Sequence, residues 1–355
     1  MSVRDDILGL RSSIGLALCM QLLSAAVNAA SSLPELGNLP GPQAATADAE
    51  TCQQLQQNFD IDLKEVVKAG CKPSDQQISK LMDNPVGNLV LLFNQYDYTA
   101  LKGPNSNGTR YLGRYSFMPT FPISLGEDWN LINRIPMAYV SAPINQDAGN
   151  LAGLSPNEIL ASPDFHSVVQ DPFERTSGFG DLGYVGVASP KAPIRLDNGA
   201  KLVWGVGATA LFPTASEDVL GQGKYSLGPT AVLAYMSEDW LLGAFPQHWW
   251  SVAGDDDRSD VSLTNLQYFI QRVIPGDAQW HVGMSPNVTV NWKAESGNQV
   301  TFPIGLGASR LVKLGDLPIR IGAEVQYSAI HPDDQIASRW NFRLTIVPVI
   351  PTFLF

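Results

Sequence analysis

Charge is scarce in this chain. Asp, Glu, Lys and Arg make up 16% of its 355 residues, against roughly 25% in soluble domains. Beyond the N-terminus there is no apolar run of about 20 residues, which excludes a helical membrane protein. Basic residues are the scarcer sign: 23 Lys and Arg against 34 Asp and Glu leave a formal net charge of −11. Such a balance argues against nucleic acid as a partner, because phosphate binding needs a basic surface. Cysteine occurs only at Cys19, Cys52 and Cys71, and two or three lone cysteines do not make a metal site.

Catalytic signatures are also missing. The chain has no Gly-x-Ser-x-Gly, no His-Glu-x-x-His and no phosphate-binding Gly loop. A phospholipase-like barrel would need a His two residues before a Ser at the lipid-facing rim, whereas His281 and Ser285 are four apart and share the wet face. His166 precedes Ser167, but adjacent side chains of an extended chain point apart, and His248 and His331 have no Ser or Cys at a usable spacing. "GDDDRSD" (254–260) begins like a calcium loop at Asp255 and Asp257, yet its twelfth position is Leu266 rather than a bidentate Glu, so it reads as a solvated loop. The expectation is a non-enzyme without cofactor or metal.

What is present starts with an export signal over residues 1–29. Arg4 and Arg11 precede the apolar run from Ile14 to Val27, and Val27-Asn28-Ala29 supplies small residues for cleavage. Asp5 and Asp6 dilute the positive end, and a buried N-terminal helix is the competing reading. Leu18 before Cys19 argues against lipoprotein processing. Removal of the signal leaves Cys52 and Cys71, which can close a short loop in an oxidising compartment, worth about 3 kcal/mol on the chain-entropy model; two free buried thiols are the alternative. Residues 30–84 read as a periplasmic segment: a Pro- and Gly-rich linker to about residue 50, then a helical texture ending in a short helix capped by Ser74 and stopped before Pro85.

From residue 85 to 355 the texture is strands, twelve in number: about 87–99, 110–123, 128–141, 180–189, 200–212, 225–236, 240–253, 261–274, 279–293, 300–312, 317–329 and 339–354. In "WHVGMSPNVTVNW" the even positions from Trp280 to Trp292 are apolar and the odd ones polar or small. In "IRIGAEVQYS" Ile319, Ile321, Ala323, Val325 and Tyr327 alternate with Arg320, Gly322, Glu324, Gln326 and Ser328, and "WNFRLTI" behaves alike. The first and third strands alternate poorly and cannot be phased. Short connections ("GED", "SED", "PGDA", "LGD") fall almost all on even-numbered turns and long ones on odd-numbered turns, as in bacterial barrels with short periplasmic turns. An even strand count also suits a closed antiparallel barrel. The fold expected is therefore all-β: a closed transmembrane barrel of about twelve strands behind a short helical N-terminal segment.

The chain ends "IVPVIPTFLF". Phe353 and Phe355 look like the terminal aromatic signal read by the barrel-assembly machinery. Outward Ile346 is even while Phe355 is odd, which a bulge at Pro348 or Pro351 would reconcile.

Four stretches carry a likeness: "NPVGNLVLLFNQYD" (84–97), "SGFGDLGYVGVASP" (177–190), "PTASEDVLGQGKYSLGPTAVL" (213–233) and "HWWSVAGDDDRSDVSLTNLQYFIQ" (248–271). Over roughly residues 84 to 355 the chain resembles the phenol-degradation meta-pathway outer-membrane protein family, also described as transporters. The resemblance implies an outer-membrane barrel that takes up small molecules, aromatic ones among them, and it brings no catalytic residues.

A twelve-stranded barrel tilted about 40° has a backbone radius near ~12 Å, so side chains leave a narrow lumen. Facing it we expect Arg114, Lys201, Asn265, Gln267, His281, Asn287, Asn291, Arg320, Glu324, Gln326 and Arg343, with Arg320, Glu324 and Arg343 close enough to pair across strands eleven and twelve. They form either a constriction that selects solutes or a satisfied network that plugs the lumen. The long 142–179 connection, with Phe165, His166, Phe173 and Arg175, is expected to fold over or into the mouth. The function expected is passive passage of small solutes across the bacterial outer membrane, with its lipid as the surrounding partner. A barrel enzyme, a closed structural or adhesive barrel and a secreted β-sandwich are the alternatives.

Overall fold

The computed structural model describes residues 47–58, 63–87, 89–104, 106–315 and 317–351. The export signal, most of the linker, and Phe353 and Phe355 lie outside the described residues.

Twelve antiparallel strands form one closed wall. They are β1 (Leu89–Lys102), β2 (Arg110–Leu125), β3 (Trp129–Arg134 and Met137–Pro143), β4 (Arg175–Phe179 and Leu182–Pro190), β5 (Lys201–Phe212) and β6 (Lys224–Met236). They continue as β7 (Trp240–Gly254), β8 (Ser262–Ile274), β9 (Asp277–Met284 and Asn287–Asn291), β10 (Val300–Leu314), β11 (Leu317–Ile330) and β12 (Ala337–Pro351). Closure is made by β1 and β12, paired from Leu89↔Pro351 to Lys102↔Ala337. A two-residue strand, Ile194–Arg195, adds a small hairpin to the start of β5.

Side chains follow the period of two, and the outward set is that of a membrane barrel. Leu306, Leu233, Val325 and Phe342 stand exposed on the outer face, where water would penalise them and lipid does not. Aromatic residues ring both ends. At the end of the long loops Tyr98 stacks on Tyr111, and Tyr327 packs against Trp340 with ring centroids 4.8 Å apart. At the short-turn end Trp129 meets Trp204, while Arg272 and Arg310 lie over Trp240 and Trp280. Trp280 and Trp292 are both exposed, one near each end of β9. They are separated by about 40 Å along the strand at 3.3–3.4 Å per residue, or about 30 Å along the membrane normal at a tilt near 40°. This is the architecture of a bacterial outer-membrane protein.

Three walls are broken mid-strand, at Ile135–Pro136, Gly180–Asp181 and Ser285–Pro286. At two of them a proline has no N–H for the ladder, and the freed backbone groups need other partners. Two breaks are neighbours: Gly180 and Gly183 donate to the carbonyls of Ala138 and Pro136.

The β12 pairing corrects one expectation. Register with β1 runs unbroken from Leu89↔Pro351 to Ala100↔Trp340, so no bulge occurs at Pro348. Val347 and Val349 keep the inward phase and are buried. Their apolar character answers to what fills the barrel there.

That filling is the N-terminal segment. Cys52 of α1 (Ala49–Gln57) is bonded to Cys71, three residues beyond the end of α2 (Leu63–Lys68), Cα–Cα 5.4 Å. α3 (Asp75–Met82) starts from a capping box in which Ser74 and Gln77 exchange hydrogen bonds. Its Ile78 and Met82 pack on Leu89, Leu91, Leu311, Val347 and Val349. Beyond it Val86 sits among Ile132, Val185, Val187, Val203, Val232, Ala234 and Phe245, on the inside of the wall.

Candidate functional site

Between this floor and the loops at the opposite mouth lies a chamber of about 760 Å³. Its floor includes Met82, Asp83 and Pro85, and its roof Val219, Leu220, Gly221 and Gln222.

The floor is fastened by charge. Asp83 accepts from Arg320 Nη1 at 2.9 Å and stands 3.1 Å from His281 Nε2. Arg320 also donates to the carbonyl (3.0 Å) and hydroxyl (2.8 Å) of Ser79. Ser79 Oγ in turn donates to Ala278 O, and Lys80 Nζ to Glu238 O. Lys313 pairs with Asp75. The plug is thus tied to the 237–239 turn and to β9, β10 and β11 of the wall. Burial pushes the Asp83 carboxyl up, but Arg320 and His281 outweigh it and hold the group below the usual carboxylate range. The stabilisation is therefore complete above roughly pH 4, the free value, and is lost as pH falls through the lower docked value. Lys80, the other charge facing Asp83, stays cationic across that window. Current through the pore should be flat from about pH 7 to pH 4 and rise only below; a rise already complete by about pH 5 would contradict this linkage.

Midway up, four neighbouring strands place alternating charges at one level: Glu324, Arg343, Asp97 and Arg114 are successive register partners on β11, β12, β1 and β2. Arg343 Nε donates to Asp97 at 2.8 Å and its Nη1 to the carbonyl of Ser285 at 3.0 Å. Glu324 accepts the Ser285 N–H at 3.1 Å, the Ser285 hydroxyl at 3.2 Å and Gln326 Nε2 at 3.0 Å. The break at Ser285–Pro286 therefore hands its freed N–H and C=O to a luminal anion and a luminal cation.

This differs from the expected trio. Arg320, Glu324 and Arg343 do not pair with one another. Arg320 is drawn down to Asp83 and Arg343 across to Asp97. Of the expected luminal residues, Arg114, Asn265, Gln267, His281, Asn287, Arg320, Glu324 and Arg343 line the chamber. Gln326 faces inward but is buried between Glu324 and Asn341. Lys201 opens β5 at the short-turn end, and Asn291 ends β9 exposed at the opposite rim. Neither lines the chamber.

Sequence reasoning missed Asp83, Asp97, Arg134 and Asp181. Arg134 stands at the Ile135–Pro136 break, its Nε donating to Thr120 Oγ1 at 3.1 Å. Its guanidinium carbon lies 5.1 and 5.3 Å from the ring centroids of Phe93 and Phe245. The available signal was a proline inside an otherwise strand-like run, "NRIPMAY".

The roof also differs from expectation. Phe165, His166, Phe173 and Arg175 do not line the chamber. His166 and Ser167 lie on a helix, Pro163–Gln170, rather than in an extended chain. Phe173 receives Arg110 on its ring at 4.2 Å, and Arg175 ties to Tyr111 O and Ser141. The roof comes from 213–222. The carboxylate of Asp181 accepts the N–H groups of Ala215 (3.2 Å) and Gln222 (2.7 Å). Arg258 Nη2 donates to Asp218 O (3.0 Å) and Gly221 O (2.7 Å). Gly178 runs so close to Ser216 that a side chain there would collide with its hydroxyl. Segments 177–190, 213–233 and 248–271, which carried the family likeness, converge on this lock.

On the outer face His248 Nδ1 lies 2.7 Å from Thr264 Oγ1, which also accepts from Trp292 Nε1 at 2.8 Å. Both residues alternate with chamber-lining neighbours, so they face lipid.

No protein-family model matches the sequence, and no curated protein matches it significantly. Among solved structures the barrel is similar to the COG4313 outer membrane channel from Pseudomonas putida F1, with 13% identity over 74% of this chain and 96% of that one, TM-score 0.49. It is also similar to outer membrane phospholipase A from Escherichia coli (15% identity, 74% and 91% covered, TM-score 0.38). A third is a Pseudomonas aeruginosa FadL homologue (10%, 74% and 90%, TM-score 0.30). At such identities the likeness concerns the fold alone.

Proposed function

We propose that this protein is a passive outer-membrane channel for small amphiphilic solutes, aromatic ones among them. The observation that carries this reading is the chamber itself. One side presents Asp97, Arg114, Arg343, Glu324, Asn265 and Gln267, the other Val140, Val185, Leu211, Val232, Leu241 and Phe245. A volume of about 760 Å³ lies in the range of small-molecule sites, roughly 300–1,000 Å³. A purely structural barrel has no need of such a space, since small barrels fill their interior with side chains. The resemblance to the phenol-degradation family agrees with this reading, and such a barrel would be inserted by the barrel-assembly machinery.

Purified protein should migrate differently on gels when boiled and unboiled, and should give discrete current steps in planar bilayers. Arg343→Ala should shift selectivity toward cations, because it removes the cation bonded to Asp97 and leaves two carboxylates, Glu324 and Asp97, against Arg114 alone at that level. Absence of both current and solute flux would overturn the channel reading.

His248 beside Thr264 on the lipid face favours a second reading, a lipid-acting enzyme. It is the weaker one: His248 Nε2 has no acidic group to orient it, and the Thr264 hydroxyl is engaged by Trp292. Release of fatty acid from phospholipid, lost in His248→Ala, would reverse the order.

A further inference from the structure

We infer that the chamber binds a carboxylate-bearing amphiphile, with its head on the guanidinium of Arg134 and its apolar body along the β3–β6 side of the wall. This names the solute class of the channel proposed above and rests on that reading.

The argument is one of unmatched charge. Four carboxylates line the chamber among the described residues, and each is engaged: Asp83 by Arg320 and His281, and Asp97 by Arg343. Glu324 is held by Ser285 and Gln326, and Asp181 by the N–H groups of Ala215 and Gln222. Arg134 has no such partner. Among the described residues its polar contact is the Nε–Thr120 bond, and no carboxylate lies within ion-pair distance. A guanidinium this deep in the wall pays a desolvation cost that a counter-charge relieves.

The surroundings specify what kind of anion fits. Phe93 and Phe245 pack against the guanidinium, a favourable seat for a weakly hydrated planar cation. Nε is committed to Thr120, so the two terminal amino groups are what remain for a ligand. Their parallel N–H bonds match the two oxygens of a carboxylate. The cross-strand neighbour of Arg134 is Val185, which belongs with Val232 and Phe245 to one apolar cluster. Small inorganic anions would gain nothing from these groups, whereas an aryl or alkyl carboxylate buries its body against them.

The test is equilibrium binding to the full chain in detergent micelles, with empty micelles subtracted. The probes are 4-phenylbutyrate, 4-phenylbutan-1-ol and acetate. The wild type should bind phenylbutyrate at least about tenfold more tightly than either of the others, the factor expected of a charge-assisted pair. Arg134→Gln should abolish the preference of acid over alcohol, and Arg134→Lys, which keeps charge but not the fork, should retain part of it. Thr120→Val, which frees Nε, gives a second variant should Arg134→Gln fail the gel test for a folded barrel; it should reduce the preference. Equal binding of acid and alcohol, or a preference that survives Arg134→Gln, overturns the proposal. Acetate binding as tightly as phenylbutyrate overturns it too, leaving an anion site without an apolar component. Wild-type current in bilayers is scored separately: binding without current refutes the channel and leaves the site, and current without acid preference does the reverse.

Discussion

Asp83→Ala should convert a largely plugged barrel into one that conducts most of the time. Removing one partner of a buried ion pair costs about 3–5 kcal/mol, because the other charge stays buried and unpaired. Here the stranded partners are Arg320 and His281, both oriented by Asp83. Arg320 Nε already lacks an acceptor, so Arg320 would keep only its two bonds to Ser79, and the plug would rest on those, the Ser79, Lys80 and Asp75 ties and its apolar packing. A loss of about 3 kcal/mol shifts the docked-to-undocked ratio by about two orders of magnitude. Single-channel records should show a higher conductance level, rare in the wild type and dominant in the variant. Limited proteolysis should cut at Lys72 and Lys80 faster, with the unboiled gel mobility of the barrel unchanged. Asp83→Asn, which keeps the shape and loses the charge, should fall between. Unchanged current together with unchanged proteolysis would mean that apolar packing of Ile78, Met82 and Val86 suffices to hold the floor.

The plug also explains where the sequence was legible. Strand number, turn asymmetry and the outward faces of β9, β11 and β12 follow from a period of two with polar residues inside. That contrast fails near the floor, because Leu89, Leu91, Ile132, Val203, Val347 and Val349 point inward onto an apolar plug. Both faces of the wall are greasy there, so β1 and β3 resist phasing, and with them Asp97 and Arg134 pass unnoticed. The same cause makes "IVPVIP" look out of step when it is not. β3 is further obscured by its break at Ile135–Pro136, which interrupts the ladder without changing the phase: Asn130, Ile132, Arg134, Ala138 and Val140 all face inward. The floor itself could not be read from α3. An amphipathic helix ending in Asp83 fits many sites, and its partners, Arg320 and His281, lie about 200 residues away by the hydrogen-bond separations of 237 and 198. In the long loops length pointed to 142–179, and Gly149 of that segment does lie against Asp218 and Val219. The residues that line the chamber come from the shorter 213–222, since Asp181 at a strand break has two backbone N–H groups within reach.

The two ends of the chamber act in series, and this makes the second large effect conditional on the first. Asp181→Ala deletes an anionic acceptor for two backbone N–H groups, a loss of about 2–3 kcal/mol for hydrogen bonds to a charged group. Arg258 still holds Asp218 and Gly221, so the roof loosens without departing. In the wild-type background current is limited by the floor, which ion pairs and buried apolar side chains secure together, so loosening the roof should change it little. In Asp83→Ala the floor is open and the roof becomes the resistance that remains. Adding Asp181→Ala there should raise the conductance of the open level itself, not the time spent in it. The effects on stability, by contrast, should add, because the two carboxylates share no partner and act on opposite ends of the barrel. The double variant therefore separates a change in gating, which belongs to Asp83, from a change in bore, which belongs to Asp181. If Asp181→Ala alone opened the pore as far as Asp83→Ala does, the narrow end would be the mouth, and the plug would have to be read as a brace for the strands it ties together.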